Sequence, residues 1–171
     1  KGHEIQVILT KNALKMISPI PFHSLSANIV AYDEFGEKDY IPHISMTDWA
    51  DVMVIAPATA NIIGKMANGI ADDLLSTFYL AFNKKILVAP AMNVKMFHHP
   101  AVQKNIESLK ELGVQFVEPA HGMLACGYEG KGKLAPVEEI VAAIESLNLT
   151  REKPLKGKKV VISAGANMED I

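Results

Sequence analysis

The sequence predicts an α/β fold, a doubly wound parallel sheet with helices on both faces. Two observations carry that reading. Short apolar runs such as Ile5-Gln6-Val7-Ile8-Leu9, Val52-Met53-Val54-Ile55-Ala56 and Ile86-Leu87-Val88-Ala89 have the pattern of strands covered on both faces. Each is followed by a turn and usually by a helical pattern, and strands alternating with helices favour parallel pairing. At 171 residues the chain can bury the core of one such domain but not of two.

In chain order, residues 5–9 read as a strand and 28–32 as a weaker one. Residues 51–56 form the next strand and lead into a helical stretch at 59–67, then Gly69 and a second helix at 72–82. The run 85–89 is a strand, followed by the loop Pro90-Ala91-Met92-Asn93-Val94-Lys95-Met96-Phe97. Residues 100–112 read as a helix with Val102, Ile106 and Leu109 on one face and Gly113 as its stop signal. A strand at 114–117 follows, and Pro136 opens a last helix at 137–147.

The two ends set expectations for domain organisation. Lys1-Gly2 before a strand resembles the tail of a helix, so a first strand and helix are expected to be missing. Residues 148–157 are polar and carry Pro154, as a linker does. Beyond it, Lys158-Lys159-Val160-Val161-Ile162-Ser163-Ala164-Gly165 reads as the opening strand and turn of another α/β domain. The expected division is therefore a domain at 1–147, a linker at 148–157 and a truncated second domain at 158–171.

Composition narrows the function classes. Apolar residues make up 49% and charged residues 21%, as in a globular protein. A net charge of −2 gives no electrostatic case for nucleic acid or an anionic membrane. No apolar run approaches the roughly 18 residues of a membrane span, and no signal-peptide pattern opens the chain. One cysteine makes no internal disulfide, which fits a cytoplasmic setting.

Four loops are candidates for chemistry. In an open α/β sheet, ligands sit beyond the carboxyl ends of the strands, which is where Asn93 falls. It either meets a ligand or closes a turn and caps the next helix. Ala56-Pro57-Ala58-Thr59-Ala60-Asn61 joins a buried strand to a helix, and is either an ordinary capped turn or a helix start that receives an anion or a polar ring edge. It is neither a GxGxxG loop nor a P-loop. His43 has a proton affinity suited to a base, with a structural hydrogen bond as the alternative. Gly122 to Lys133 is a loop with four glycines around Cys126, read as a lid or as a surface loop with an incidental thiol. His98-His99 lacks metal-ligand spacing, so no metal site is expected.

Together these motifs resemble the flavin-dependent cysteine decarboxylases, most closely the phosphopantothenoylcysteine decarboxylase half of a bifunctional coenzyme A biosynthesis protein. The resemblance rests on the Pro-x-Met-Asn-x-x-Met run at Pro90–Met96, on Ala-Pro-Ala-Thr-Ala-Asn at 56–61, on Leu124-Ala125-Cys126-Gly127, and on His43 in its His-Ile-Ser context. Phe97 stands where the family often has Trp, and the glycine-rich first loop that in the family helps hold the flavin phosphate is not in this sequence. Residues 155–165 resemble the start of a phosphopantothenate–cysteine ligase, although Ala166-Asn167 departs from that pattern. The resemblance implies a Rossmann-like, flavodoxin-like fold and FMN as cofactor, with CTP and Mg2+ needed only by the missing ligase domain. It implies catalytic roles for His43 as base, Asn93 as holder of the substrate carboxylate or amide, and Cys126 as proton donor. Flavin contacts carried over by position fall on Thr10, Lys11, Asn12, Thr59, Ala60, Asn61, Ile62 and Ala91. Substrate contacts fall on Asn93, Met123 and Ala125. The implied reaction oxidises the CH2–SH end of phosphopantothenoylcysteine to a thioaldehyde, loses CO2 to give an enethiolate, and returns the electrons, leaving phosphopantetheine. The substrate is a small molecule, and the family implies a homotrimer, or a dodecamer of trimers in the bifunctional proteins.

Three rivals are weighed. A peptidyl-cysteine decarboxylase would lack the ligase-like segment after Pro154. A non-catalytic FMN-binding regulatory subunit would have lost His43, Asn93 or Cys126, and all are present. A flavin prenyltransferase would lack the Pro-x-Met-Asn run and the cysteine loop.

Overall fold

A computed structural model describes residues 2–32, 42–123, 129–147 and 159–164; the side chains of 42–44, 123, 129, 160 and 164 lie outside that description. Strand β1 (Glu4–Leu9) is followed by a 3-10 turn at Ala13–Lys15, helix α1 (Ile20–Ser26) and the short strand β2 (Val30–Ala31). Helix α2 (Pro42–Trp49) precedes β3 (Val52–Ala58), and α3 (Ala60–Ala67) and α4 (Leu74–Ala81) precede β4 (Lys85–Pro90). Next come α5 (Val94–Phe97), α6 (Pro100–Glu111), β5 (Gln115–Phe116), β6 (Ala120–Met123), β7 (Glu129–Lys133), α7 (Val137–Leu147) and β8 (Lys159–Ala164).

Six strands form one sheet in the order β2-β1-β8-β3-β4-β5, and every pairing is parallel. Alternate residues of β3 divide the core. Met53 and Ile55 pack with Met46, Ile63, Met66, Phe78 and Leu109 under α2, α3, α4 and α6. Val52 and Val54 pack with Leu87, Ile140 and Ile144 under α7, and Val7 and Leu9 meet Val30 and Phe22 of α1 on that second side. This is the doubly wound, flavodoxin-like arrangement.

Local chemistry explains the helix limits. Asp73 caps α4 through a reciprocal capping box with Ser76. Gly113, at φ +88°, ends α6 in a Schellman motif: its N–H donates to Lys110 O and that of Val114 to Leu109 O.

Residues 159–164 form β8, which lies in the sheet between β1 and β3 and pairs parallel with both. A central slot needs a strand apolar on both faces, and Val160-Val161-Ile162 supplies one, with Val161 fully buried. Asp51 fixes the register: its carboxylate accepts the Lys159 N–H at 2.9 Å and its own N–H donates to Lys159 O at 2.6 Å. The stretch 122–133, read as a loop, is largely an antiparallel hairpin, with Gly122 paired to Gly130 and Met123 to Glu129. Its alternation is hidden because glycine and lysine occupy the strand positions.

Candidate functional site

The carboxyl ends of β1, β8, β3 and β4 line one edge of the sheet, and a cavity of about 310 Å³ opens there. Thr10, Lys11 and Asn12 enter it from the end of β1, and Ile55 and Pro57 from β3. Thr59, Asn61, Ile62 and Lys65 come from the start of α3, and Ser163 from β8. Asp72, Asp73 and Leu75 close the far side. Of the eight residues expected to hold a cofactor, Thr10, Lys11, Asn12, Thr59, Asn61 and Ile62 line this cavity, whereas Ala60 and Ala91 do not. Ala91 is buried, and its N–H donates to Ala58 O at 2.9 Å.

Side-chain oxygens around the cavity differ in how committed they are. Thr10 Oγ1 accepts the Ala13 N–H at 3.1 Å, and Asn12 Oδ1 accepts from Lys15 Nζ at 3.1 Å. Thr59 is the N-cap of α3, but its hydroxyl takes no capping bond. The N–H groups of a helix's first turn have no intrahelical acceptor, so the start of α3 presents donors to the cavity. Ser163 Oγ is buried without a hydrogen-bond partner among the described residues, the kind of atom that a bound polar ligand satisfies.

Sequence reasoning missed Lys65, Asp72, Asp73 and Ser163. Lys65 Nζ lies 2.6 Å from both Asp72 Oδ1 and Asp73 Oδ2. Burial opposes its charge, but the hydrogen bonds to the two carboxylates outweigh that and hold its pKa above the usual value. Burial likewise pushes against ionised Asp73, and bonds from Lys65 and Ser76 win, holding its pKa below the usual range. A signal was present: Lys65 stands four residues after Asn61 on the same helical face.

Asn93 does not line the cavity. It stands one strand further along the same edge, half-buried, as the N-cap of α5. Its Oδ1 accepts the Lys95 N–H at 2.8 Å. The Ala91-to-Ala58 hydrogen bond ties its loop to the 56–61 loop, so the two most specific motifs are neighbours. His43 lies in the first turn of α2, with its side chain outside the described residues. The opposite end of α2 is fixed at the amino edge, where Lys84 Nζ donates to the carbonyls of Thr47, Asp48 and Ala50. The His43 end of the helix therefore points toward the carboxyl edge. Met123 ends β6, its side chain likewise not described, and Ala125 and Cys126 lie outside the described residues. His99 caps α6 through Nδ1.

The walls suit a planar ring: Ile55, Pro57, Ile62 and Leu75 are apolar, and Thr10, Asn12, Thr59, Asn61 and Ser163 offer polar atoms around them. The volume is at the lower end of small-molecule sites, which run from about 300 to 1,000 Å³. An open parallel sheet with such a cavity at its carboxyl edge defines a cofactor-binding α/β protein. The family model described as Flavoprotein matches residues 1–149, and the chain belongs to that family. It is 49% identical over 174 residues to the coenzyme A biosynthesis bifunctional protein CoaBC of Bacillus subtilis (strain 168), covering 99% of this chain and 43% of that protein. The chain thus spans under half the length of that relative. Among solved structures it resembles a cysteine-to-serine mutant of PPC decarboxylase complexed with pantothenoylaminoethenethiol, with a TM-score of 0.71, 34% identity and coverage of 82% of this chain and 81% of that one. It also resembles the FMN-dependent cysteine decarboxylase SpaF, with a TM-score of 0.69, 27% identity and coverage of 86% and 97%. Both of those solved structures are named as decarboxylases.

Proposed function

We propose that this chain decarboxylates phosphopantothenoylcysteine to phosphopantetheine with FMN as its cofactor, as a step of coenzyme A biosynthesis. The observation that carries the reading is the hydrogen-bonded contact between the 56–61 loop and the Pro90–Met96 loop beside the cavity. It keeps the cavity and the Asn93 amide on one sheet edge, which supports the reading. FMN, when bound, supplies reversible two-electron oxidation of the carbon bearing the thiol.

The chain's own residues bind, orient and move protons. Thr59, Asn61, Thr10 and Lys11 hold the cofactor. Asn93 Nδ2 donates to the substrate carboxylate, which fits an amide whose oxygen is already committed to the helix cap. His43 takes the proton released when the substrate thiol is oxidised to the thioaldehyde. Cys126 donates the proton needed as the enethiolate is reduced, and a thiol with a pKa of about 8.5 is mostly protonated at neutral pH. The resemblance, rather than geometry, supports the roles of His43, Cys126, Met123 and Ala125. A homotrimer in the cytoplasm belongs to the same reading, and Ile70 and Leu80, exposed beside α3 and on α4, supply apolar surface for such a contact. The ligase half, with its CTP and Mg2+, rests on the resemblance of residues 155–165 alone.

The likeness to a cysteine decarboxylase supports a second substrate, a free or peptidyl C-terminal cysteine. Comparing kcat/KM for phosphopantothenoylcysteine, free cysteine and a peptide ending in cysteine separates the two. The proposal expects the phosphorylated substrate to be preferred by at least about 100-fold, roughly 2.7 kcal/mol of transition-state discrimination. Equal or greater turnover of either alternative overturns it.

A further inference from the structure

The hairpin strand β7 does more than flank the site. Asn93 sits between Met92 and Val94, and each of those neighbours rests on a glycine of β7. Met92 N–H donates to Gly132 O at 2.9 Å. A Cβ added at Gly132 would fall 2.3 Å from Met92 O and 3.4 Å from Val94 N, and one at Gly130 would fall 2.7 Å from Val94 Cγ2. No side chain fits between β7 and the loop at either position. The loop is therefore held against β7 by the Met92–Gly132 backbone hydrogen bond on one side of Asn93 and by the Val94 side chain packed over Gly130 on the other, with the cap to Lys95 as a third tie.

We propose that Gly130 and Gly132 are positioning residues that set where Asn93 stands. The functional part of this inference rests on the reading of Asn93 as the group that holds the substrate. At Gly132 an added methyl group is about 1 Å short of ordinary contact with a backbone carbonyl, which has no rotamer with which to move aside. The loop or the strand must shift by that amount, and a misplacement of about 1 Å costs on the order of 100-fold in rate where geometry is critical. At Gly130 the clash is with a side chain that can be trimmed.

The test measures decarboxylation and flavin absorbance in the flavin-loaded chain. Gly132→Ala is expected to lose activity by about 10- to 100-fold at unchanged flavin content. In an Asn93→Ala background it should cost little more, because a residue acting through Asn93 has nothing left to displace. A purely structural glycine would give additive losses, and additivity overturns the proposal, as does full activity of Gly132→Ala. Gly130→Ala, strained at φ +158° as well as crowded by Val94, should also lose activity, and Gly130→Ala/Val94→Ala should regain the part of the loss that the Val94 contact causes, which keeps the test decisive if Gly132→Ala does not fold. If wild-type protein turns over no cysteine substrate, the functional reading fails separately. Crystal structures then decide the positioning claim: Asn93 should move by about 1 Å in Gly130→Ala and return in the double variant, and an unmoved Asn93 refutes it.

Discussion

Asp73 does two jobs at the cavity wall, and two substitutions separate them. Its Oδ1 accepts the Ser76 N–H at 2.8 Å as the cap of α4, while its Oδ2 pairs with Lys65 at 2.6 Å. Asp73→Asn keeps an amide oxygen for the cap and removes the charge. Asp73→Ala removes both. Loss of an N-cap costs about 1 kcal/mol. Loss of one charged hydrogen bond costs about 1.5–3 kcal/mol when fully buried. Here Asp72 stays on Lys65 and the pair is partly solvated, so about 1 kcal/mol is the expected share. Asp73→Ala should thus lose about 2 kcal/mol and Asp73→Asn about 1. Urea unfolding followed by circular dichroism reads both as shifts of midpoint at constant slope. Equal losses for the two variants would refute the division, and no loss in either would show that neither contact matters to stability.

The same pair predicts a pH profile. Asp73 is held below its ordinary value near 3.8, so its contribution is complete above that value and is lost as pH falls through the lowered one. Lys65 is held above its ordinary value near 10.5, so its contribution is complete below that and is lost as pH rises through the raised one. Urea midpoints should fall at both extremes, and the acid limb should flatten in Asp73→Ala. Cys126→Ser should still release CO2 in a single turnover but accumulate an unreduced enethiol product, identified by mass spectrometry; normal product at a normal rate would make the thiol incidental. His43→Asn should slow the reaction by about 100- to 10,000-fold with flavin still bound and oxidised on mixing with substrate, and loss of the flavin band on purification would assign the histidine a structural role instead.

Much of the fold is legible in the sequence because its signals are local. The buried strands β3 and β4 are apolar on both faces, and α6 is bounded by Pro100 and Gly113, so both are read to within a residue or two. The hairpin is not legible, because Gly122, Gly130 and Gly132 carry no side chains from which to read an alternation, and their reason for being glycine lies in Met92 and Val94. Helix α1 is masked by Pro21 near its start and by its short length. The position of β8 is a non-local fact: its pattern predicts a buried strand, but nothing in the pattern says which sheet takes it. The site divides the same way. Thr59, Asn61 and Asn93 are legible from the loop-after-strand rule, whereas the meeting of Lys65 on α3 with Asp72 and Asp73 ahead of α4 is a tertiary contact.

If flavin and substrate meet between the 56–61 loop and Asn93, a crystal structure of the protein with FMN and a non-reactive phosphopantothenoylcysteine analogue will show it. The flavin ring is expected in the cavity lined by Thr10, Thr59, Asn61 and Ile62, with the analogue's carboxylate within hydrogen-bond distance of Asn93 Nδ2. A flavin bound elsewhere on the chain, or an analogue carboxylate out of reach of Asn93, would contradict it.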